Sequence, residues 1–105
     1  MGRDNDILQL EMGFDLAAEA PRIYSILGDE LQWPTEFGAR ILKSVPNERL
    51  LLGLSNFTRV ELNITPRSGG CNVHLQQDLL KSLEQKREAR HAWREFFEQI
   101  QNRVS

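Results

Sequence analysis

From about Ser82 to Arg103 the chain contains neither glycine nor proline, and Ala89, Trp93, Phe96, Phe97, Ile100 and Val104 recur at helical spacing. A stripe of this kind is stable only when another element covers it, so the segment is expected to form a long amphipathic helix that closes the chain. Its other side interleaves Lys86, Arg87, Arg90, His91 and Arg94 with Glu84, Glu88, Glu95 and Glu98. Pairs such as Glu84 with Arg87 and Arg94 with Glu98 stand three or four apart, where opposite charges support a helix, which is the pattern of a solvated face.

The residues before this helix supply the surface it needs. From Leu8 to Leu16, Leu8, Leu10, Met12, Phe14 and Leu16 alternate with polar or small residues, the signature of a half-buried strand. Ala18 to Leu27 reads as a short helix with Pro21 in its first turn, Ile23, Ile26 and Leu27 facing inward and a stop near Gly28. Trp33 precedes Pro34, so Asp29 to Phe37 is expected to be a loop carrying a buried aromatic. Four further strands are predicted over Ala39–Val45, Glu48–Leu54, Phe57–Thr65 and Cys71–Gln77. Turn signals at Pro46-Asn47, Ser55-Asn56 and Pro66 to Gly70 separate them. The fold class that follows is α+β: an antiparallel sheet of about five strands gripping the long C-terminal helix, with one short helix after the first strand.

At 105 residues the chain is expected to be a single domain spanning residues 1–105. The 40% hydrophobic and 27% charged content is too apolar for an intrinsically disordered chain. The lone cysteine, Cys71, excludes an internal disulfide framework and any multi-cysteine metal site, and suits a reducing compartment. Apolar runs reach three residues at most, so neither a membrane span nor a signal-peptide core is expected, and the protein is read as cytoplasmic. The net charge is −2, divided into −5 over residues 1–40 and +3 over the remainder. Nucleic-acid binders concentrate basic charge on one face, so nucleic acid is not an expected partner.

Few constellations suggest chemistry. Cys71 and His74 stand three apart on a predicted strand and therefore point to opposite faces, which argues against a shared metal ion or a Cys–His nucleophilic pair. Cys71 is expected to be a buried structural thiol. Asp29-Glu30 is an acidic pair after Gly28, read as a solvated turn rather than an acid–base couple. No glycine-rich phosphate loop occurs, since the one glycine doublet, Gly69-Gly70, lies in a hairpin connection. Asn56-Phe57-Thr58 and Asn63-Ile64-Thr65 satisfy the glycosylation sequon but are read as polar residues on a strand face. Neither a metal nor another cofactor is expected. The aromatic residues Phe14, Trp33, Phe37, Trp93, Phe96 and Phe97 fall on apolar faces or in the loop that covers them, where they either fill a core or line an apolar pocket.

Several local patterns, in this order, resemble the START-like helix-grip superfamily, also labelled SRPBCC. Ala20-Pro21-Arg22-Ile23-Tyr24-Ser25-Ile26-Leu27-Gly28-Asp29 is similar to its "A-P-x-x-V-W-x-x-L-x-D" opening, and Val45-Pro46-Asn47-Glu48-Arg49-Leu50-Leu51 to its "V-x-P-x-x-R-L-V" hairpin. Thr58 to Pro66 with Gly69-Gly70-Cys71-Asn72-Val73 resembles its "R-V-x-x-x-L-T-P-x-G-G-G-T-x-V" strand pair. His91-Ala92-Trp93 is similar to the "G-W" of the last helix in the subgroup named after the heat-shock chaperone ATPase activators, with Ala92 in place of glycine. The resemblance runs from about Met12 to Val104. Members commonly carry a second short helix and extra strands between the first helix and the proline hairpin, where this chain has only about Leu31 to Ala39.

The resemblance implies a cavity between the long helix and the sheet, but the superfamily hosts binders, cyclases and chaperone cofactors, so fold alone does not select a function. The leading expectation is non-catalytic binding of a small hydrophobic or amphipathic ligand. Met12, Phe14, Trp33, Phe37, Leu62, Val73, Trp93 and Phe97 would give apolar contact, and Tyr24 a polar handle. The alternative is a protein–protein interaction module, chaperone-activator-like or homodimeric, with a packed core and no ligand. Its exposed apolar surface would come from Leu51, Leu54 or Leu79 with Leu80. An enzyme is not expected, because His74, His91, Glu36 and Asp29 are predicted to lie outward or in loops.

Overall fold

The computed structural model describes residues 8–104. Arg3, Asp4 and Asp6, which contribute to the charge of the N-terminal portion, lie outside them. Five strands, β1 (Leu10–Leu16), β2 (Arg40–Val45), β3 (Arg49–Gly53), β4 (Arg59–Arg67) and β5 (Gly70–Asp78), form one antiparallel sheet in the order β1-β5-β4-β3-β2. Two helices accompany it, α1 (Ala20–Leu27) and α2 (Leu83–Val104). The α+β architecture and the element order are those expected from the periodicity.

Strand alternation decides which side the helix covers. Leu10 and Leu16 of β1, Leu50 and Leu52 of β3, Val60, Leu62 and Ile64 of β4, and Cys71, Val73 and Leu75 of β5 are buried on one face. Cross-strand register places them opposite one another, Leu50 against Leu62 and Leu62 against Leu75. Helix α2 meets this face with Trp93, Phe96, Phe97, Ile100 and Val104. Its start is fixed by Ser82, whose hydroxyl accepts from the Gln85 N–H (3.0 Å), while the Gln85 side chain reaches back to the Lys81 N–H (2.6 Å). Near its far end, Gln101 accepts from the Ala17 N–H at 3.1 Å.

The β4–β5 connection is a tight hairpin in which Arg67 pairs with Gly70 and Gly69 takes φ +79°. Gly70 must be glycine: a Cβ there would run into the carbonyl oxygen of Leu16 on the neighbouring strand. Pro66 falls inside β4 rather than in the turn. It lies beyond the last β3–β4 pair, Arg49 with Asn63, so the N–H it lacks is not required on that side.

Between α1 and β2 the chain makes two short 3-10 turns, Glu30–Gln32 and Thr35–Phe37, in the interval where a second helix and extra strands were expected to be missing. Helix α1 stops with the Gly28 N–H donating to the Tyr24 carbonyl at 2.7 Å. Asp29 then accepts from the Leu31 N–H (3.0 Å) and Glu30 from the Ile41 N–H (2.9 Å). The acidic pair thus holds backbone donors. Trp33 is buried, 5% exposed, and its indole N–H donates to the Leu27 carbonyl at 2.9 Å. The second turn closes on Gly38 at φ +56°, and the Phe37 carbonyl accepts from the N–H (3.0 Å) and the hydroxyl (3.2 Å) of Ser55. These bonds clamp the 29–39 segment to the β3–β4 connection.

Candidate functional site

A groove runs along α2, walled on one side by the 35–37 turn and on the other by the β3–β4 connection. Helical spacing brings Ala89, Ala92 and Trp93 to it; the clamp on Ser55 fixes Phe37 opposite them. The space between is about 500 Å3, lined on its apolar side by Phe37, Leu54, Ala89, Ala92 and Trp93. Glu36, Glu88, Gln85, Ser55, Asn56 and Gln77 complete it. A second cleft of about 430 Å3 lies against Trp33, Phe96 and Ile100 and shares Glu36, Phe37 and Ala92 with the first.

A buried hydrogen-bond chain supports the groove. Gln77 is only 1% exposed, yet it follows Cys71, Val73 and Leu75 on the covered face. Its Oε1 accepts from the Trp93 indole N–H at 2.8 Å and its Nε2 donates to Thr58 Oγ1 at 2.9 Å. Thr58 in turn donates its hydroxyl hydrogen and its backbone N–H to Asn56 Oδ1. Desolvating an amide is costly unless both its ends are bonded, and here each end has a partner. The chain therefore ties the indole of Trp93 to the sheet floor. Asn56 and Thr58 were expected to be polar residues on a strand face; both precede β4, and Thr58 is buried. Phe57 precedes β4 in the connection, with φ +65° and 80% exposure.

The aromatic side chains pack mostly against one another. Trp33 stacks on Phe96 with ring centroids 4.6 Å apart and meets Trp93 edge-on at 5.7 Å; Phe37 meets Trp93 at 5.2 Å. At the β1 end, Phe14 stacks on Phe97 at 4.2 Å. Of the residues singled out from the sequence, Phe37 and Trp93 line the larger groove and Trp33 the second cleft. Phe14 and Phe97 line a separate cleft of about 380 Å3 between β1 and α2. Leu62 and Val73 lie fully buried in the core, whereas Met12 and Tyr24 are partly buried and pack against it; these four line none of the three clefts. Leu54, Glu36 and Ala89 were read from the sequence in other roles, as an interaction-surface leucine, an outward or loop carboxylate and part of the apolar stripe of the helix, and Gln77 and Glu88 were not singled out as site residues. The signal for Gln77 was present, since it continues the two-residue period of β5 by one step.

Of the titratable residues considered from the sequence, Glu36 lines the groove, whereas neither histidine does. His74 sits on the uncovered face of the sheet with Nε2 3.5 Å from Glu11, and His91 faces solvent 3.3 Å from Glu95. Cys71 is on the covered face, opposite in direction to His74 as its strand parity requires. Burial pushes the Cys71 thiol above its ordinary pKa, and the negative charge of Asp15 adds to the effect. Among the described residues no three His, Cys, Asp or Glu side chains group as a metal site requires. No helix among them is long and apolar enough to cross a membrane.

No family model and no curated protein matches the chain. Solved structures do. A protein of Chromobacterium violaceum superposes with a TM-score of 0.75 at 15% identity, covering 91% of this chain and 96% of its own. The Aha1 dimer of Colwellia psychrerythraea gives 0.74 at 8% identity, covering 91% and 95%. An AHSA1-like protein of Rhizobium etli gives 0.71 at 15% identity, covering 89% and 79%. The chain thus shares with these structures the helix-grip fold, an antiparallel sheet packed against a long C-terminal helix.

Proposed function

We propose that this is a single-domain, non-catalytic binding protein of the cytoplasm that takes a small hydrophobic or amphipathic ligand in the groove between α2 and the sheet. The groove of about 500 Å3, walled by Phe37, Leu54 and Trp93, carries this reading. Ligand sites typically occupy roughly 300–1,000 Å3 and combine apolar walls with a few fixed polar groups, as Gln77 does here. Trp93, Phe37, Trp33, Phe14 and Phe97 supply apolar contact in these clefts. Leu62 and Val73 in the core, and Met12 and Tyr24 packed against it, line none of these clefts and are left out of the proposed contact surface.

The test is native mass spectrometry of the protein purified without added ligand, beside Ala89→Trp, which fills the groove from the helix side. A small-molecule adduct that denaturation releases, present in the wild type and lost in A89W, is the expected result. A wild type without adduct that also shows no chemical-shift change on titration with amphipathic probes would overturn it.

A second reading, as a protein-interaction module or homodimer, draws on the exposed apolar residues Phe57, Leu79 and Leu83. Phe57 and Leu79 both have left-handed backbone, at φ +65° and +69°, a conformation bulky residues seldom adopt. Of the leucines expected to give such a surface, Leu79 is exposed, but Leu80 is buried and Leu51 and Leu54 are half-buried. Sedimentation velocity over a wide concentration range, with and without Phe57→Ser, decides this reading. A concentration-dependent dimer weakened by F57S supports it, and a monomer throughout removes the homodimer.

A further inference from the structure

Five basic residues crowd α2 between Lys86 and Arg94, yet none of them lines the larger groove. Helical phase turns Gln85, Glu88, Ala89, Ala92 and Trp93 toward the groove and the basic side chains away from it. The opposite wall adds Glu36. Both carboxylates belong to exposed residues, and neither takes part in any of the three ion pairs found among the described residues. The remaining polar lining is neutral. The groove therefore combines two aromatic walls, a net negative rim and an amide fixed at its floor.

We infer that the groove selects amphipathic ligands bearing a protonated amine, through Glu36 and Glu88 at the rim and the aromatic walls Phe37 and Trp93. This inference rests on the reading of the groove as a ligand site and names the ligand class. An ammonium group gains from both carboxylates and from the negative faces of the rings. A carboxylate in the same place meets two like charges and no cation among the lining residues. Gln77 acts from below: its Oε1 holds the Trp93 indole N–H and so fixes the orientation of that aromatic wall. Fatty-acid-like anions are therefore disfavoured by charge although the apolar walls would suit their tails.

Three probes of nearly equal shape separate charge from hydrophobic fit: 4-phenylbutylamine, 4-phenylbutanol and 4-phenylbutanoate, titrated by NMR into the full chain at low ionic strength. The amine is expected to bind about tenfold more tightly than the alcohol, and the acid more weakly than either, with the amine's advantage shrinking as salt is added. In the double variant Glu36→Gln, Glu88→Gln the ratio of amine to alcohol affinity is expected to fall close to one. Both side chains are exposed, so circular dichroism should match the wild type. If the alcohol or the acid binds as tightly as the amine, or the preference survives in the double variant, the charge inference is overturned while the groove reading stands. If none of the probes binds, or A89W binds them as the wild type does, both fall together.

Discussion

Replacing Gln77 with leucine keeps roughly the same side-chain volume but strips both of its hydrogen bonds from a site that is 1% exposed. The Trp93 indole N–H then has no partner in a setting where water does not reach, since Trp93 is itself only 2% exposed. Leaving a buried donor unsatisfied costs about 1–3 kcal/mol, and the lost bond to Thr58 about 1 kcal/mol more; the better burial of leucine returns part of this. A net loss of about 2–3 kcal/mol is expected, which in a domain this size lowers the melting temperature by roughly 10–20 °C. Trp93→Phe alone leaves Gln77 Oε1 unpartnered instead. In the double variant neither orphan exists, so its destabilisation should fall short of the sum of the singles by about 1–2 kcal/mol. Urea denaturation followed by far-UV circular dichroism measures all four corners of this cycle. Additivity within about 0.5 kcal/mol would refute the argument, because it would mean that the two side chains do not depend on one another.

The two hairpin glycines should respond differently to alanine. Gly70→Ala sets a Cβ against the Leu16 carbonyl and should cost about 2 kcal/mol or more, whereas Gly69→Ala meets open space and bears only the left-handed backbone penalty of about 1 kcal/mol; thermal melts compare them. Cys71 should give the protein an alkaline weakness, read from urea midpoints at about pH 8 and pH 10.5. The unfolded thiol ionises near its ordinary 9.0 while the buried one ionises higher, so above pH 9.0 the unfolded chain holds fewer protons and stability falls as pH rises through the folded pKa. Cys71→Ser should flatten that part of the profile, and an unchanged slope would count against it.

The strands were legible because each has one covered face and one open face, so Val60, Leu62 and Ile64 alternate with Arg59, Glu61 and Asn63 regardless of what lies across the sheet. The helix was legible for the same reason at a different period. The pairing of β1 with β5 was not, since no local pattern in Leu10–Leu16 says which strand it will join. The site was read only in part. Aromatic residues mark a contact layer, and Trp93 and Phe37 do line the groove, but the sequence does not distinguish a tryptophan bordering open space from a leucine such as Leu62 sealed beneath it. That difference depends on where the 35–37 turn is clamped, and the clamp is made by the Phe37 carbonyl and Ser55, backbone and hydroxyl chemistry that periodicity does not report. Gln77 continues the period of β5 but is easily passed over because polar residues are ordinarily assigned to solvent; its bonds to Trp93 and Thr58 make burial tolerable.

The edge position of β1 has a consequence for the order in which the protein can be made. Strands β2 to β5 follow one another as hairpins and can pair as soon as each emerges, with short loops to close. Strand β1 is synthesised before all of them, yet among the described residues its one neighbour in the sheet is β5, the last of the five strands to appear. Met12 and Phe14 therefore wait through the synthesis of most of the chain with no sheet to join. Even then the apolar face stays open until α2, later still, lays Phe97 against Phe14. Aggregation during synthesis should depend on how long that first strand is left without its partner, so pauses in translation between β1 and β5 would matter more than pauses within the hairpins.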